Sequence, residues 1–234
     1  MEKSGLIQMP SSPPNDFSRR LTEDITWRIR ELSSFKRSIG LSSKLESRAL
    51  LRASVPLLYA HWEGFFSTST TVFLNHISQR RYSIDDLRPE FWALLKMKTY
   101  TPDKIQSEIQ FFRMLIDVRT EPKKPFRRGR HIDISASSNL KFEVLCRGCE
   151  FLGISTDGFE EYKYFIDECL LPDRNYIAHG EYRAIDIDKF EDYRNNVLDL
   201  MRITKNKLEN VVIDESFKIS DRRLGNSTLL DASA

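Results

Sequence analysis

The 234-residue chain has only three cysteines, and they follow no framework spacing. Such a set fits a reducing compartment better than a secreted, disulfide-stapled fold. Glycine and proline are scarce, at nine each, and the prolines cluster near residues 10–14 and 122–125. Most of the chain is therefore free to run in long helices. No apolar run reaches the roughly 18 residues that a transmembrane helix needs. The stretch from Met1 to Pro14 is polar and lacks the apolar centre of a secretory signal. A cytoplasmic protein with no membrane contact is expected. Net charge is also small: Lys and Arg total 36 against 34 Asp and Glu, a formal +2. Bulk charge selects no partner, so affinity for nucleic acid has to come from a local patch. Alternating strand patterns are nearly absent.

What is present is helical periodicity. Leu21, Ile25, Ile29 and Leu32 recur at spacings of three and four, which predicts a helix from about Asp16 to Gly40. Ser42 or Ser43 can cap the next helix, from about Lys44 to Gln79. Its stripe includes Leu51, Val55, Leu58, Trp62, Phe65 and Phe66, and Pro56 inside it predicts a kink. A third helix is expected from about Asp85 to Lys98. Thr101-Pro102 starts a fourth with Ile105, Ile109, Phe112 and Leu115. Helices resume at about Asn139–Leu152, Gly158–Gly180 and Asp188–Val212. The expected fold is all-α, a bundle of six to seven helices with a basic loop insertion. Residues 1–15 read as a disordered lead, 16–213 as the domain and 214–234 as a flexible tail. No internal repeat is visible.

Residues 119–138 break the pattern. Arg119, Lys123, Lys124, Arg127, Arg128 and Arg130 stand there beside the acidic Glu121, and a short strand is expected at His131–Ile134. One reading is a solvated surface loop. The other is an RNA-backbone contact through Lys123, Lys124, Arg127, Arg128 and Arg130, with Phe126 stacking on a base and His131 near phosphate. Cys146 and Cys149 form C-x-x-C, but a zinc site of that form needs a second pair and only Cys169 remains. Buried packing is expected instead, with no metal and no cofactor. His61 and His76 lie on the long second helix as packing or surface residues.

The chemistry-bearing stretch is Asp173-Arg-Asn-Tyr-Ile-Ala-His179-Gly180-Glu181. Histidine is the one side chain that titrates near neutral pH without a large perturbation. Arginine offers a fixed, permanently charged fork for phosphate. Asn175 and His179 are four apart and share a helix face, and Gly180 reads as the helix stop. His179 then sits at a helix C-terminus, where the macrodipole favours a cation. The set suits RNA transesterification, with a histidine moving the proton and an arginine stabilising the phosphate. The 2′-hydroxyl that such chemistry consumes restricts it to RNA. The plainer reading is a helix-end pair, with His179 on terminal carbonyls and Arg174 in an ion pair with Asp173 or Glu181. A bare Arg followed by His five to seven residues later is expected about once by chance in a chain of this composition. Two residues alone decide nothing.

The longer pattern R-N-x-x-A-H-G, closing a helix in an all-helical chain, resembles the R-x(4–6)-H motif of the HEPN superfamily. Asn175 directly after Arg174 also resembles that motif. Leu58-Tyr-Ala-His-Trp-Glu63-Gly-Phe-Phe66 resembles the aromatic-acidic segment of stand-alone bacterial HEPN-like nucleases, where the acidic residue faces the active pocket. The resemblance implies a HEPN-like bundle and a metal-independent endoribonuclease, with Arg174, His179, Asn175 and Glu63 as site residues and Asp173 helping to shape the pocket. It implies RNA as substrate and a homodimer with two motifs facing one cleft. A toxin or antiphage role follows by analogy, with a cognate antitoxin or defence-system partner. Some such proteins are catalytically silent binding modules, and that is the alternative expectation. Independently of the family, a carboxylate at Glu63 among buried aromatics wants a partner. Arg174, His179 or a structural arginine such as Arg52 can supply it.

Overall fold

The computed structural model describes residues 13–96, 125–127 and 139–219. The helix expected from Thr101 and the strand expected at 131–134 lie outside the described residues. Among the described residues the fold is all-α. Its only extended pairings are two isolated bridges, Ser83 with Pro125 and Leu87 with Lys218.

Helix α1 (Pro13–Leu41) buries Phe17, Leu21, Ile25, Leu32 and Ile39 along one stripe. Helix α2 (Lys44–Arg80) starts at a capping box. The Ser43 hydroxyl accepts from the Glu46 N–H, while the Glu46 carboxylate takes the Ser43 N–H. It ends at Arg81, held in the left-handed region at φ 55°. Between these stops α2 buries a broad face, Trp62, Phe65, Phe66 and Phe73 completely, while Ala53 and Ala60 on the other side stay exposed. So wide an apolar face lets one helix pack against several neighbours at once. Each of these aromatics contributes on the order of 1.5–3 kcal/mol by leaving water. Helix α2 continues past Pro56, whose missing N–H removes the usual donor to the Arg52 carbonyl.

A 3-10 turn (Ile84–Asp86) leads to α3 (Pro89–Lys96), which packs on α4 (Phe142–Leu152). Gly153 stops α4 at φ +67°, and its carbonyl accepts from Arg88 Nη1 at 3.1 Å. Next come a 3-10 turn (Glu160–Tyr162) and a π-helical segment (Phe165–Leu170), leading into α5 (Leu171–Ala178). The Leu171 N–H reaches back five residues to the Ile166 carbonyl. This widened turn sits directly before Pro172, whose ring and missing N–H would break a continuous α-helix. Helix α6 (Ile187–Ile213) is capped by Asp186, which accepts from the Lys189 N–H. Helix α2 packs on α1, α5 and α6, and α1 packs on α6.

Arg28 is the notable charge in the α1–α2 seam. It is 6% exposed, paired with Asp24 at 2.8 Å and bonded to the His61 carbonyl at 3.2 Å. Gly64 leaves room for it: a Cβ there would lie 3.0 Å from Arg28 Nη1.

Two expectations need correction. Phe126 is fully buried and meets Phe91 edge-on at 5.3 Å, with its N–H on the Tyr82 carbonyl. It is a core residue and is not available to stack on a base. The packed domain also runs past residue 213. Phe217 is 2% exposed against Phe73 and Tyr82, and its carbonyl accepts from the Arg88 N–H. Residues 214–219 are thus pinned to the bundle. Cys149 is buried in α4, where burial pushes its thiol up to about 12, so it packs as a small apolar group.

Candidate active site

Helix α5 carries Arg174 and Asn175, with His179 at its C-cap. The end of the helix is a Schellman turn. The Gly180 N–H bonds to the Ile177 carbonyl and the Glu181 N–H to the Tyr176 carbonyl. Gly180 takes φ +81°, the backbone region that favours glycine. The sequence therefore halts the helix at Ala178, one residue before His179, and leaves the His179 side chain exposed. The His179 ring makes no hydrogen bond to a described residue, while its N–H is held by the Asn175 carbonyl at 3.0 Å.

Arg174 lies half-buried in a polar corner built by three elements. Its Nη1 donates to Asn175 Oδ1 at 2.9 Å and to Asn139 Oδ1 at 3.0 Å. Its guanidinium carbon stands 4.7 Å from the centre of the Tyr59 ring on α2. The Tyr59 hydroxyl donates to Glu63 Oε1 at 2.8 Å and accepts from the Leu140 N–H at 2.6 Å. Burial, reinforced by the Glu63 bond, pushes the phenol well above its ordinary range, so it remains a donor. Arg174 has no carboxylate partner among the described residues. Its contacts there are two neutral amides and a ring face.

Glu63 thus reaches the corner through Tyr59, without a direct bond to Arg174 or His179. Arg52, the other partner considered for it, instead donates to the Glu181 carbonyl at 2.9 Å. Asn175 is the link between the two motif residues: it bonds Arg174 by its side chain and His179 by its backbone. Asp173 does not face the corner. It is 1% exposed and clamps Arg183 Nε at 2.5 Å, Lys189 Nζ at 2.7 Å and the Tyr193 hydroxyl at 2.9 Å. Burial alone would raise its carboxyl, but the bonds to Lys189, Tyr193 and Arg183 outweigh burial and hold it below the ordinary value. Asp173 thereby ties the segment after the motif and the start of α6 to α5. Arg127 is exposed, while Lys123, Lys124, Arg128 and Arg130 lie outside the described residues.

The family model described as HEPN_MAE_28990-like HEPN matches residues 17–217. The chain belongs to this HEPN family. The match starts in α1 and ends at Phe217, the last buried aromatic, so it spans the whole packed bundle. No curated protein and no solved structure matches the chain. Membership of a HEPN family supports a nuclease or RNA-binding role at the coarse level. Tyr59 and Asn139 are the residues of this corner that the sequence reading did not pick out. Tyr59 precedes Glu63 by four positions, a spacing that places both on one helix face. Asn139 carries no local signal, because it lies 35 residues from Arg174.

Proposed function

We propose that this HEPN chain is a metal-independent endoribonuclease that cleaves RNA by attack of the ribose 2′-hydroxyl on the adjacent phosphorus. The carrying observation is Arg174. A half-buried guanidinium that, among the described residues, meets only neutral amides and an aromatic face keeps its charge for an anion. Arg174 stabilises the charge that builds on the phosphate oxygens of the transition state. His179, exposed on the same helix, exchanges a proton with the substrate. Either it takes the 2′-hydroxyl proton as the new P–O bond forms, or it protonates the 5′-oxygen as the old P–O bond breaks. The products are a 2′,3′-cyclic phosphate and a 5′-hydroxyl. A homodimer supplies a second His179, so one can act as base and the other as acid. Asn175 couples the two motif residues, and Glu63 fixes Tyr59 under Arg174. Action as a toxin or defence effector with a cognate antitoxin rests on family analogy.

The second reading, a silent RNA-binding module, is favoured by one observation: no described residue orients the His179 ring. Incubating the wild type, His179→Ala and Arg174→Ala with end-labelled total RNA in EDTA separates the two. Cleavage by the wild type alone, leaving cyclic-phosphate ends, is expected. A wild type that binds RNA without cutting it supports the silent module. Equal cleavage by all three proteins refutes the assignment of the site.

A further inference from the structure

A second cationic feature lies beside the motif. A groove of about 590 Å³ opens between the first turns of α2 and the segment that follows the Schellman turn. Arg48 and Arg52 line it from α2, and Tyr182, Arg183 and Asp186 line it from the opposite wall. Arg48 is exposed and has no ion pair among the described residues. Arg52 is bonded through Nη2 to the neutral Glu181 carbonyl, and its buried Nε has no hydrogen-bond partner among the described residues. Arg183 is paired with Asp173, a carboxylate it shares with Lys189. Asp186, the carboxylate of the lining, is engaged in capping α6. Two uncompensated guanidiniums one helical turn apart repel each other in the free protein and favour an anion between them. Tyr182 is 82% exposed, with the Arg52 guanidinium 5.9 Å from its ring centre.

We propose that this groove binds the backbone of a single-stranded RNA, with Arg48 and Arg52 on phosphate and Tyr182 stacked on a base. The ligand class rests on the ribonuclease reading, and the groove extends that reading to a place no sequence motif marks. Guanidinium forks match phosphate oxygens bidentately, and an exposed ring accepts any base face. The groove begins three residues after His179. Arg52 ties it to the turn that ends the motif helix, so a strand held at Arg174 and His179 can continue into it. Its lining combines charge with an aromatic face, and each nucleotide offers both complements. An acidic peptide offers only one.

The test uses a fluorescent, uniformly 2′-O-methylated single strand of about ten nucleotides. Methylation removes the nucleophile, so binding is read without cleavage. Anisotropy titrations across a salt series compare the wild type with Arg48→Glu, Tyr182→Ala and Arg202→Glu. Arg202 is an exposed control 16 residues along α6 from Asp186, about 24 Å away. Arg48→Glu should weaken binding about tenfold and lower the salt slope by roughly one. Tyr182→Ala should weaken it about fivefold to a hundredfold. Arg202→Glu should stay within about twofold of the wild type. Equal losses for Arg48→Glu and Arg202→Glu overturn the proposal, because they report bulk charge. So does a wild type that ignores the RNA, or that binds an oligoglutamate in its place. Unmethylated RNA in EDTA tests the reaction separately. A bound but uncut strand leaves the groove standing and removes the ribonuclease reading. A cut strand with Arg48→Glu and Tyr182→Ala both neutral removes the groove alone.

Discussion

Replacing Tyr59 by phenylalanine deletes one oxygen from the polar corner and leaves the ring beneath Arg174 in place. That oxygen is the acceptor for the Leu140 N–H and the donor to Glu63. Glu63 is half-buried and can turn to water, so its loss is small. The Leu140 N–H is less fortunate, since Leu140 itself is fully buried. A buried donor left without a partner costs about 1–3 kcal/mol. In a domain of this size each kcal/mol moves the melting temperature by about 2–4 °C, so Tyr59→Phe should melt roughly 2–12 °C below the wild type. Protein concentration has to be held fixed, because association would shift both melts. Cleavage per folded molecule should survive in Tyr59→Phe, because the ring face 4.7 Å from Arg174 remains. Tyr59→Leu removes that face too, a contact of about 0.5–2 kcal/mol, and should lose both stability and cleavage. A Tyr59→Phe protein within about 0.5 kcal/mol of the wild type would refute the bridging role of the hydroxyl.

Two further outcomes concern the frame around the site. Asp173 is held below its ordinary value, so it stabilises the fold above the usual carboxylate range and loses that contribution as pH falls through its folded value. Asp173→Asn should cost about 1.5–3 kcal/mol at neutral pH, because the partly exposed Arg183 and Lys189 lose a charged hydrogen-bond partner. Its stability should also fall less steeply than that of the wild type between about pH 5 and pH 2; parallel curves from circular-dichroism melts would count against the clamp. Gly180→Ala meets no atom within 4 Å and should lose only the left-handed strain, about 1 kcal/mol. Gly153→Ala adds a collision with Arg88 Nη1, 2.9 Å from the new Cβ, and should lose more in urea unfolding. Equal losses would mean that Arg88 moves aside without cost.

Legibility followed locality. The start of α2 was readable because Ser42 and Ser43 stand directly before it, and Ser43 is the residue that caps it. The end of α5 was readable because Gly180 stands one residue after His179. The motif pair could be named, but not its surroundings. Asn139 meets Arg174 only after the chain has folded back, and periodicity carries no record of that return. Asp173 was misplaced for a related reason. Helical spacing gives its position on α5 but not the cations that α6 and the intervening segment bring to it. Phe126 and Phe217 were misread because each is a lone aromatic among polar residues. A single anchor has no period, and only its socket of Phe73, Tyr82 and Phe91 reveals it.

The π-helical segment before α5 holds one residue more than an α-helix would need for the same path. That surplus is slack in a rod that otherwise has none. A chain shortened by one residue within 165–170 can tighten its five-residue steps to four and still deliver Arg174 and Asn175 to Tyr59 and Asn139. A chain shortened by one between Arg174 and His179 has no such reserve. The histidine would swing about 100° round the helix axis, away from the amide that joins it to the arginine. The aim of the pair is thus forgiving of length changes on one side and intolerant of them on the other, and Pro172 stands between the two regimes.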